Sequence, residues 1–357
     1  MNIKRFLFVW FQGTDILEEY GRHLYLLLNV FASSGYEIKV FNNLANRDLE
    51  KYGQLIYSLE NLELTEAPPK CTDEWVYLFD KEDRATGRLA WHKKIQVRYD
   101  VFSTYRFRNP VIMPYPMHPA HVTQDLEKRL EEYRSRKSNM RIFFSGDTKG
   151  YARNRIRYPK AKLPRLKIIN TILDRMGTEV IHVKDMSMLG GLQGEKYIRK
   201  CVIVDTNETW VDERDWLGYL AMADFFLSPP GIIMPMCHNV IEAMAVGSIP
   251  LCNYPEWFTP GLTHMENCIA FDDQDDLIAK IKLALAMGEE EIRRMRTNVL
   301  NYYETCLKPD TFLRRIESSK DKKFIVLIIT EANMLRYSSK LKKSSVLMRE
   351  VVPGMSL

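Results

Sequence analysis

The 357-residue chain has no apolar stretch approaching the ~20 residues needed to cross a bilayer, so no membrane-spanning helix is expected. It has six cysteines but no paired spacing among them. Cys71, Cys201, Cys237, Cys252, Cys268 and Cys306 show no CxxC or Cys/His ligand pattern, which predicts reduced, mostly buried thiols. Internal repeats and low-complexity linkers are also missing. Charge of one sign is not in large excess: 51 Lys and Arg against 46 Asp and Glu leave +5. Because the basic residues cluster locally, that balance points to an anionic ligand more than to wholesale nucleic-acid binding. Lys4 and Arg5 precede an apolar run, but residues 6–11 are too short for a signal-peptide core and lead into Gln12-Gly13. A first buried strand and a cytoplasmic chain are expected.

What is present is an ordinary globular composition, 46% hydrophobic and 11% aromatic, long enough for two cores. Short apolar runs alternate with amphipathic helical stretches. The beginning reads strand 6–11, loop 12–15, helix 17–33, a Ser-Ser-Gly stop and strand 37–41, one βαβ unit. Further strands are expected at 75–79, 94–99 and 110–113. Prolines 114, 116 and 119 then break regular structure, and a charged helical segment, 123–136, follows them. A second series begins at Met140: strands at 141–145, 179–182, 225–227, 249–252 and 268–271, with helices at 164–176, 210–223, 239–246 and 274–286. That alternation implies a parallel, doubly wound sheet. The expected division is an N-terminal domain over 1–122, a linker helix over 123–139, a second domain over 140–320 and a tail over 321–357. The tail carries one more apolar run, 324–329, and is able to return to the N-terminal domain.

The most informative stretch is Ala223-Asp-Phe-Phe-Leu-Ser-Pro-Pro-Gly231 followed by Asn239-Val-Ile-Glu-Ala-Met-Ala-Val-Gly-Ser-Ile-Pro-Leu251. A strand ends in a Ser/Pro/Gly loop, a helix begins, and after Gly247 the chain re-enters the sheet. Ligands of open α/β sheets sit where strand C-termini meet helix N-termini. Free amide N–H groups and a partial positive charge of roughly half a unit suit that place to a phosphate. Glu242, in the first turns of the helix, can accept hydrogen bonds from ribose hydroxyls. The bland reading is a packed helix ending at a glycine.

This stretch resembles the donor-binding segment of GT-B glycosyltransferases, a Glu-Ala-(Met/Leu)-Ala-x-Gly-x-x-Pro core after an Ala-Asp-x-x-(Leu/Val)-x-Pro strand. The matching residues are Glu242, Ala243, Met244, Ala245, Gly247 and Pro250, after Ala223, Asp224 and Pro229. The resemblance covers about residues 140–290 and implies an α/β fold of two Rossmann-like domains facing across a cleft. It also implies a nucleotide-sugar donor and a ribose contact for Glu242. Met234 stands where many retaining members carry another glutamate, eight positions before Glu242. Segments without that glutamate occur in exostosin-like and bacterial surface-polysaccharide transferases, which Phe143-Phe-Ser-Gly146 before a basic loop also resembles. The implied acceptor is a hydroxyl of a surface polysaccharide or lipopolysaccharide, a glycan or glycolipid.

The second constellation is the loop after that Phe-Phe-Ser-Gly strand, with Lys149, Arg153, Arg155, Arg157, Lys160 and Lys162. A leaving nucleoside diphosphate gains negative charge as the glycosidic bond breaks, so a positioned cation favours the transition state over the ground state. Arg153 is the catalytic candidate here, with Gly146, Lys149 and Arg157 as substrate-binding partners; Arg forks suit phosphate. A solvated basic loop or a nucleic-acid patch is the competing explanation. Pro230, Gly231 and Asn239 complete the donor side, and His238, just before the Glu242 helix, can touch phosphate or sugar.

On the other side, Gly13 and Asp15 lie in the loop after the first strand, Asp15 as a general base for an acceptor hydroxyl or simply as a helix cap. His118 and His121 border the expected junction, and Trp257 and Phe258 serve either a sugar face or the core. There is no Asp-x-Asp of the metal-dependent GT-A kind; Asp272-Asp273 and Asp275-Asp276 fit helix capping. No metal and no cofactor are expected. The partners under this reading are a nucleotide-sugar donor and a glycan or glycolipid acceptor, without nucleic acid. Lys340, Lys342, Lys343 and Arg349 allow peripheral contact with an anionic membrane. The alternative is a non-catalytic nucleotide- or nucleic-acid-binding α/β protein, supported mainly by the 149–162 loop.

Overall fold

The computed structural model describes residues 5–44, 49–101, 109–136, 138–149, 163–185, 187–188 and 194–337. The chain forms two compact units. One contains the chain up to Pro119 and takes in Lys308–Tyr337; the other contains Ala120–Leu307.

The first unit opens with β1 (Arg5–Trp10), α1 (Arg22–Ser33), β2 (Tyr36–Phe41), β3 (Leu62–Thr65), β4 (Trp75–Phe79), β5 (Lys93–Arg98) and β6 (Asn109–Ile112). Strands covered on both faces read as continuous apolar runs, and β1 and β4 do so: Leu7, Phe8 and Val9 are fully buried. Aromatic side chains fill one face, where Phe8, Tyr77 and Trp91 stack with centroids 4.7–5.8 Å apart. α1 ends as its Ser-Ser-Gly predicts, with Gly35 left-handed at φ 80°. It begins later than the expected residue 17. Glu19, Tyr20 and Gly21 all have positive φ (55°, 61°, 73°), which no helix accommodates, so 3-10 turns occupy that stretch. Gly21 is required there, because a Cβ would come within 2.6 Å of the Gly53 Cα.

The second unit holds α2 (Leu126–Ser135), β7 (Met140–Gly146), α3 (Arg165–Arg175), β8 (Val180–Val183), β9 (Cys201–Asp205), α4 (Trp216–Ala221), β10 (Ala223–Ser228), α5 (His238–Ala245), β11 (Ile249–Cys252), β12 (Ile269–Ala270), α6 (Gln274–Ala286) and α7 (Glu289–Tyr302). Its sheet order is β12-β11-β10-β7-β9-β8, with every pairing parallel. The aspartate of the Ala-Asp strand has a structural task at the start of β10. Asp224 accepts from Arg141 Nη1 at 2.7 Å and from the Ser138 hydroxyl, both beneath the sheet's N-terminal edge. α5 is fixed at its C-terminal end, where Arg134 Nε donates to Ala245 O (2.8 Å) and Arg296 Nη2 to Val246 O (3.2 Å). Gly247, at φ 87°, admits the Arg296 side chain, which a Cβ would approach to 2.9 Å. Asp273 caps α6, accepting from the backbone of Asp275 and Asp276.

The chain then returns to the first unit through α8 (Thr311–Ser318), β13 (Lys323–Leu327) and α9 (Glu331–Tyr337). β13 slots between β5 and β6, completing a parallel sheet of order β3-β2-β1-β4-β5-β13-β6. Lys93 secures the return: its buried ammonium donates to the carbonyls of Ile316, Ser319 and Asp321 at 2.6–3.1 Å, closing the C-terminal end of α8. The protein is therefore an α/β chain with two parallel sheets, each flanked by helices. Among the described residues no helix is long and apolar enough to cross a membrane.

Candidate functional site

In the second unit the chain passes from β7 to β8 at one edge of the sheet, returns to β9 beside β7, then crosses to β10 on the other side of β7. That reversal is a topological switch point, the place where open α/β sheets leave a crevice at the carboxyl ends of two neighbouring strands. β7 and β10 are those neighbours, with Phe225 opposite Ile142 and Phe226 opposite Phe143. Their parallel pairing sends the loop beginning at Gly146 and the loop beginning at Pro229 off the same sheet edge. Both stretches singled out in the sequence start there, and α5 follows from the second.

The loops are built differently. After β7, Thr148 donates to Asp205 Oδ2 at 2.5 Å, Asn207 Nδ2 donates to Asp147 Oδ1 and Asp205 Oδ1, and Arg165 Nη1 donates to the Asp147 carbonyl at 2.8 Å. Gly146 is buried, and a Cβ on it would press on the Phe144 ring at 3.2 Å. Lys149 is exposed at the end of this stretch. Arg153 and Arg157, with Arg155, Lys160 and Lys162, lie outside the described residues, as do Lys340, Lys342, Lys343 and Arg349 at the C-terminal end. After β10, Ser228 bonds the buried Tyr254 hydroxyl, Pro230 is buried, and Gly231 N donates to Pro235 O at 3.2 Å. A Cβ on Gly231 would meet the Met234 carbonyl oxygen at 2.4 Å, so this turn admits only glycine.

α5 starts with Cys237 at the N-cap, making no side-chain cap bond, and His238 and Asn239 are half-buried in its first turn. Glu242 is 0% exposed. A carboxylate buried this completely needs donors, and it has them. Trp216 Nε1 donates to Oε2 at 2.6 Å, and His238 Nδ1 lies 3.1 Å from Oε1 and 3.2 Å from Oε2. The resemblance implies a ribose contact for Glu242; in this structure its carboxylate is fully buried, while 34% of the neighbouring His238 side chain is exposed. His121, also buried, belongs to the same group: burial lowers its imidazole pKa, against the pull of the Glu242 and Glu213 carboxylates.

Trp216 was not expected to matter. It lies 26 residues before Glu242 in a helix that reads as packing, and the available signal was indirect: a glutamate inside Glu-Ala-Met-Ala, an otherwise apolar helix, must find a buried donor. Trp257 and Phe258 are 1% and 3% exposed, which makes them core residues.

In the first unit the switch point lies between β1 and β4. The loop after β1 is occupied by an internal anion: Asp80 accepts the backbone N–H of Gln12 at 2.8 Å and of Gly13 at 2.6 Å. Asp15 is exposed, heads a 3-10 turn, and lies 3.7 Å from Arg336 Nη1. The following glutamates bind this loop to α9. Glu18 meets Arg336 at 3.1 Å and accepts from Thr330 at 3.2 Å, and Glu19 accepts the Glu331 backbone N–H at 2.9 Å. His118, in the same unit, bonds the Tyr52 hydroxyl at 2.9 Å. Among the described residues no cluster of three or more His, Cys, Asp or Glu side chains is arranged to hold a metal ion.

No family model matches the chain. No curated protein matches it either. Solved structures similar to it over most of its length include a glycosyltransferase from Rickettsia africae ESF-5, with 11% identity, 89% of this chain and 97% of that one covered, and a TM-score of 0.44. Another is HepE from Anabaena in complex with UDP, with 10% identity, 88% and 98% coverage, and a TM-score of 0.44. A third is WaaG, a glycosyltransferase involved in lipopolysaccharide biosynthesis, with 11% identity, 87% and 98% coverage, and a TM-score of 0.35.

Proposed function

We propose that the protein is a GT-B glycosyltransferase that moves a sugar from a nucleotide-sugar donor to a hydroxyl of a glycan or glycolipid of the surface-polysaccharide or lipopolysaccharide type. One observation carries this reading: the Gly146–Lys149 loop, the Ser228–Gly231 loop and the start of α5 belong to a single switch point, at the ends of the adjacent strands β7 and β10. A helix N-terminus beside a glycine turn that tolerates no side chain suits the close approach of a diphosphate.

In the reaction, the acceptor oxygen attacks the anomeric carbon and loses its proton to a base, for which we assign Asp15. The bond from the anomeric carbon to the phosphate oxygen breaks, and its electron pair leaves on the nucleoside diphosphate. The amides of α5, His238, Lys149 and the arginines of the 150–162 segment stabilise that leaving charge. Gly13 and the 12–23 loop are assigned to the acceptor, and no metal or cofactor is required. The lysines and arginine after residue 337 are assigned to contact with an anionic membrane, and the chain to the cytoplasm.

A thermal-shift screen against UDP, GDP, ADP and CMP tests this. One nucleotide raises Tm selectively, and the matching nucleotide sugar is turned over to free nucleotide in the presence of acceptor. A chain indifferent to all four nucleotides, yet bound by nucleic acid in a steeply salt-dependent way, would instead be the non-catalytic nucleic-acid binder.

A further inference from the structure

We propose that Tyr20 is the platform of an acceptor subsite: its ring stacks on the C–H face of a sugar that bears no acidic group, while the Glu50 carboxylate accepts from that sugar's hydroxyls. The acceptor role rests on the transferase reading above; the sugar contact itself belongs to the first unit alone.

Three observations meet at this residue. Tyr20 lies in the loop that leaves the carboxyl end of β1, at the switch point of the first sheet. Its backbone is left-handed, at φ 61° and ψ 30°, a conformation that glycine and asparagine adopt readily and tyrosine does not. The residue is nevertheless 61% exposed, so burial of the ring does not offset that strain. A large ring held to solvent by a strained turn adds little to the fold, and such outliers collect where a ligand is held. Finally, a cavity of about 480 Å³ adjoins the ring, walled by Leu17, Leu49 and the glutamates Glu18, Glu19 and Glu50.

The turn is fixed from several directions. The Tyr20 carbonyl accepts the Tyr52 N–H at 3.1 Å, and Gly21 packs directly on the Gly53 backbone. The Glu19 carboxylate is held by Arg22 at 2.7 Å, His23 at 3.2 Å and the Glu331 N–H at 2.9 Å. The backbone that carries the ring therefore needs no rearrangement to meet a ligand.

The walls select the ligand's chemistry. The phenol ring and the two leucines offer an apolar surface to the C–H face of a pyranose, and a carboxylate, which only accepts, matches a hydroxyl. Glu18 is engaged by Arg336 and Thr330, and Glu19 by Arg22 and His23. Glu50 is exposed and forms no ion pair among the described residues. Its unbalanced negative charge suits a hydroxyl and opposes a carboxylate or phosphate on the sugar.

The test is saturation-transfer difference NMR on the full chain. The probes are the methyl glycosides of glucose, galactose and mannose, and the methyl glycosides of glucuronic and galacturonic acid. At least one neutral glycoside receives saturation, strongest on the C–H protons of one face, and its acidic counterpart receives about 5-fold less. Tyr20→Asn removes the ring but keeps a residue at home in a left-handed turn, so Tm holds or rises while the neutral signal falls about 5-fold. Tyr20→Phe keeps both, and Glu50→Gln narrows the gap between neutral and acidic probes. An unchanged neutral signal in Tyr20→Asn overturns the proposal, as does a loss in Tyr20→Phe as large as in Tyr20→Asn. A fall of Tm in Tyr20→Asn together with the signal makes the ring part of the fold and overturns it too, and so does the absence of any glycoside signal from the unmodified chain. Tyr20-dependent glycoside binding in a chain indifferent to all four nucleotides would keep the sugar site and remove its acceptor role; nucleotide binding without any glycoside signal would leave the transferase reading and remove this subsite.

Discussion

Gly13 donates its backbone N–H to Asp80 at 2.6 Å, across 67 residues of sequence, so the loop after β1 carries its own anion. A Cβ on residue 13 would lie 2.6 Å from the same carboxylate oxygen. Gly13→Ala therefore pushes Asp80 away from both amides. Loss of two charge-assisted bonds at a half-buried place costs about 1–3 kcal/mol. Urea denaturation measures it, and Asp80→Ala costs a similar amount. In the Asp80→Ala background, Gly13→Ala then adds little, since the clashing atom is gone.

Glu19 predicts acid sensitivity in the first unit. Burial alone would raise its pKa, but the hydrogen bond and charge of His23, the charge of Arg22 and the Glu331 N–H outweigh it and hold the group at about 2 instead of 4.5. A carboxylate depressed in the folded state contributes stability above its unfolded pKa, and that contribution is lost as pH falls from about 5 toward 2. Its full size is on the order of 3 kcal/mol. The loss of stability between pH 5 and pH 3 is accordingly smaller in Glu19→Gln than in the unmodified chain, as followed by denaturant titration at each pH.

The Arg141–Asp224 pair beneath the second sheet predicts an asymmetry between single and double substitutions. Both groups are buried, and Asp224 is raised by burial despite the Ser138 hydrogen bond and the Arg141 charge. Asp224→Ala leaves a guanidinium without its main partner and costs about 3–5 kcal/mol. Replacing both residues by apolar ones of similar volume, Arg141→Met with Asp224→Leu, costs markedly less. The midpoint of guanidinium unfolding distinguishes the two.

Gly231 predicts a separation of binding from stability. Alanine there forces the Met234 carbonyl away and opens the turn after β10, while β10 itself, paired on both sides, is untouched. Nucleotide affinity falls at least 10-fold, and Tm falls by only a few degrees, a destabilisation of about 1–2 kcal/mol. An unchanged affinity would take this loop out of the site.

Much of this architecture was legible because parallel strands covered on both faces leave long apolar runs: the expected strands at 75–79 and 249–252 coincide with β4 and β11. β9 is absent from the expected strands. Its Cys201-Val-Ile-Val204 run carries the same apolar, β-branched signal, but only four residues of it stand between Lys200 and Asp205. The delayed start of α1 was hidden for a different reason: Glu19 and Tyr20 are good enough helix residues, and the left-handed turn goes with distant contacts, Glu19 with Arg22, His23 and the Glu331 N–H, and the Tyr20 carbonyl with the Tyr52 N–H. The sequence places Glu242 on a helix, which the structure shows as α5. Which way its carboxylate turns depends on Trp216, from another helix, and no local pattern encodes that.

The most direct measurement is hydrogen–deuterium exchange of the full chain with and without saturating UDP, GDP, ADP or CMP. The account predicts that the nucleotide selected by thermal shift slows exchange in peptides covering 144–149, 228–232 and 237–242, the two loops and the first turn of α5. Protection confined to other peptides, or none in the presence of any of the four nucleotides, would contradict it.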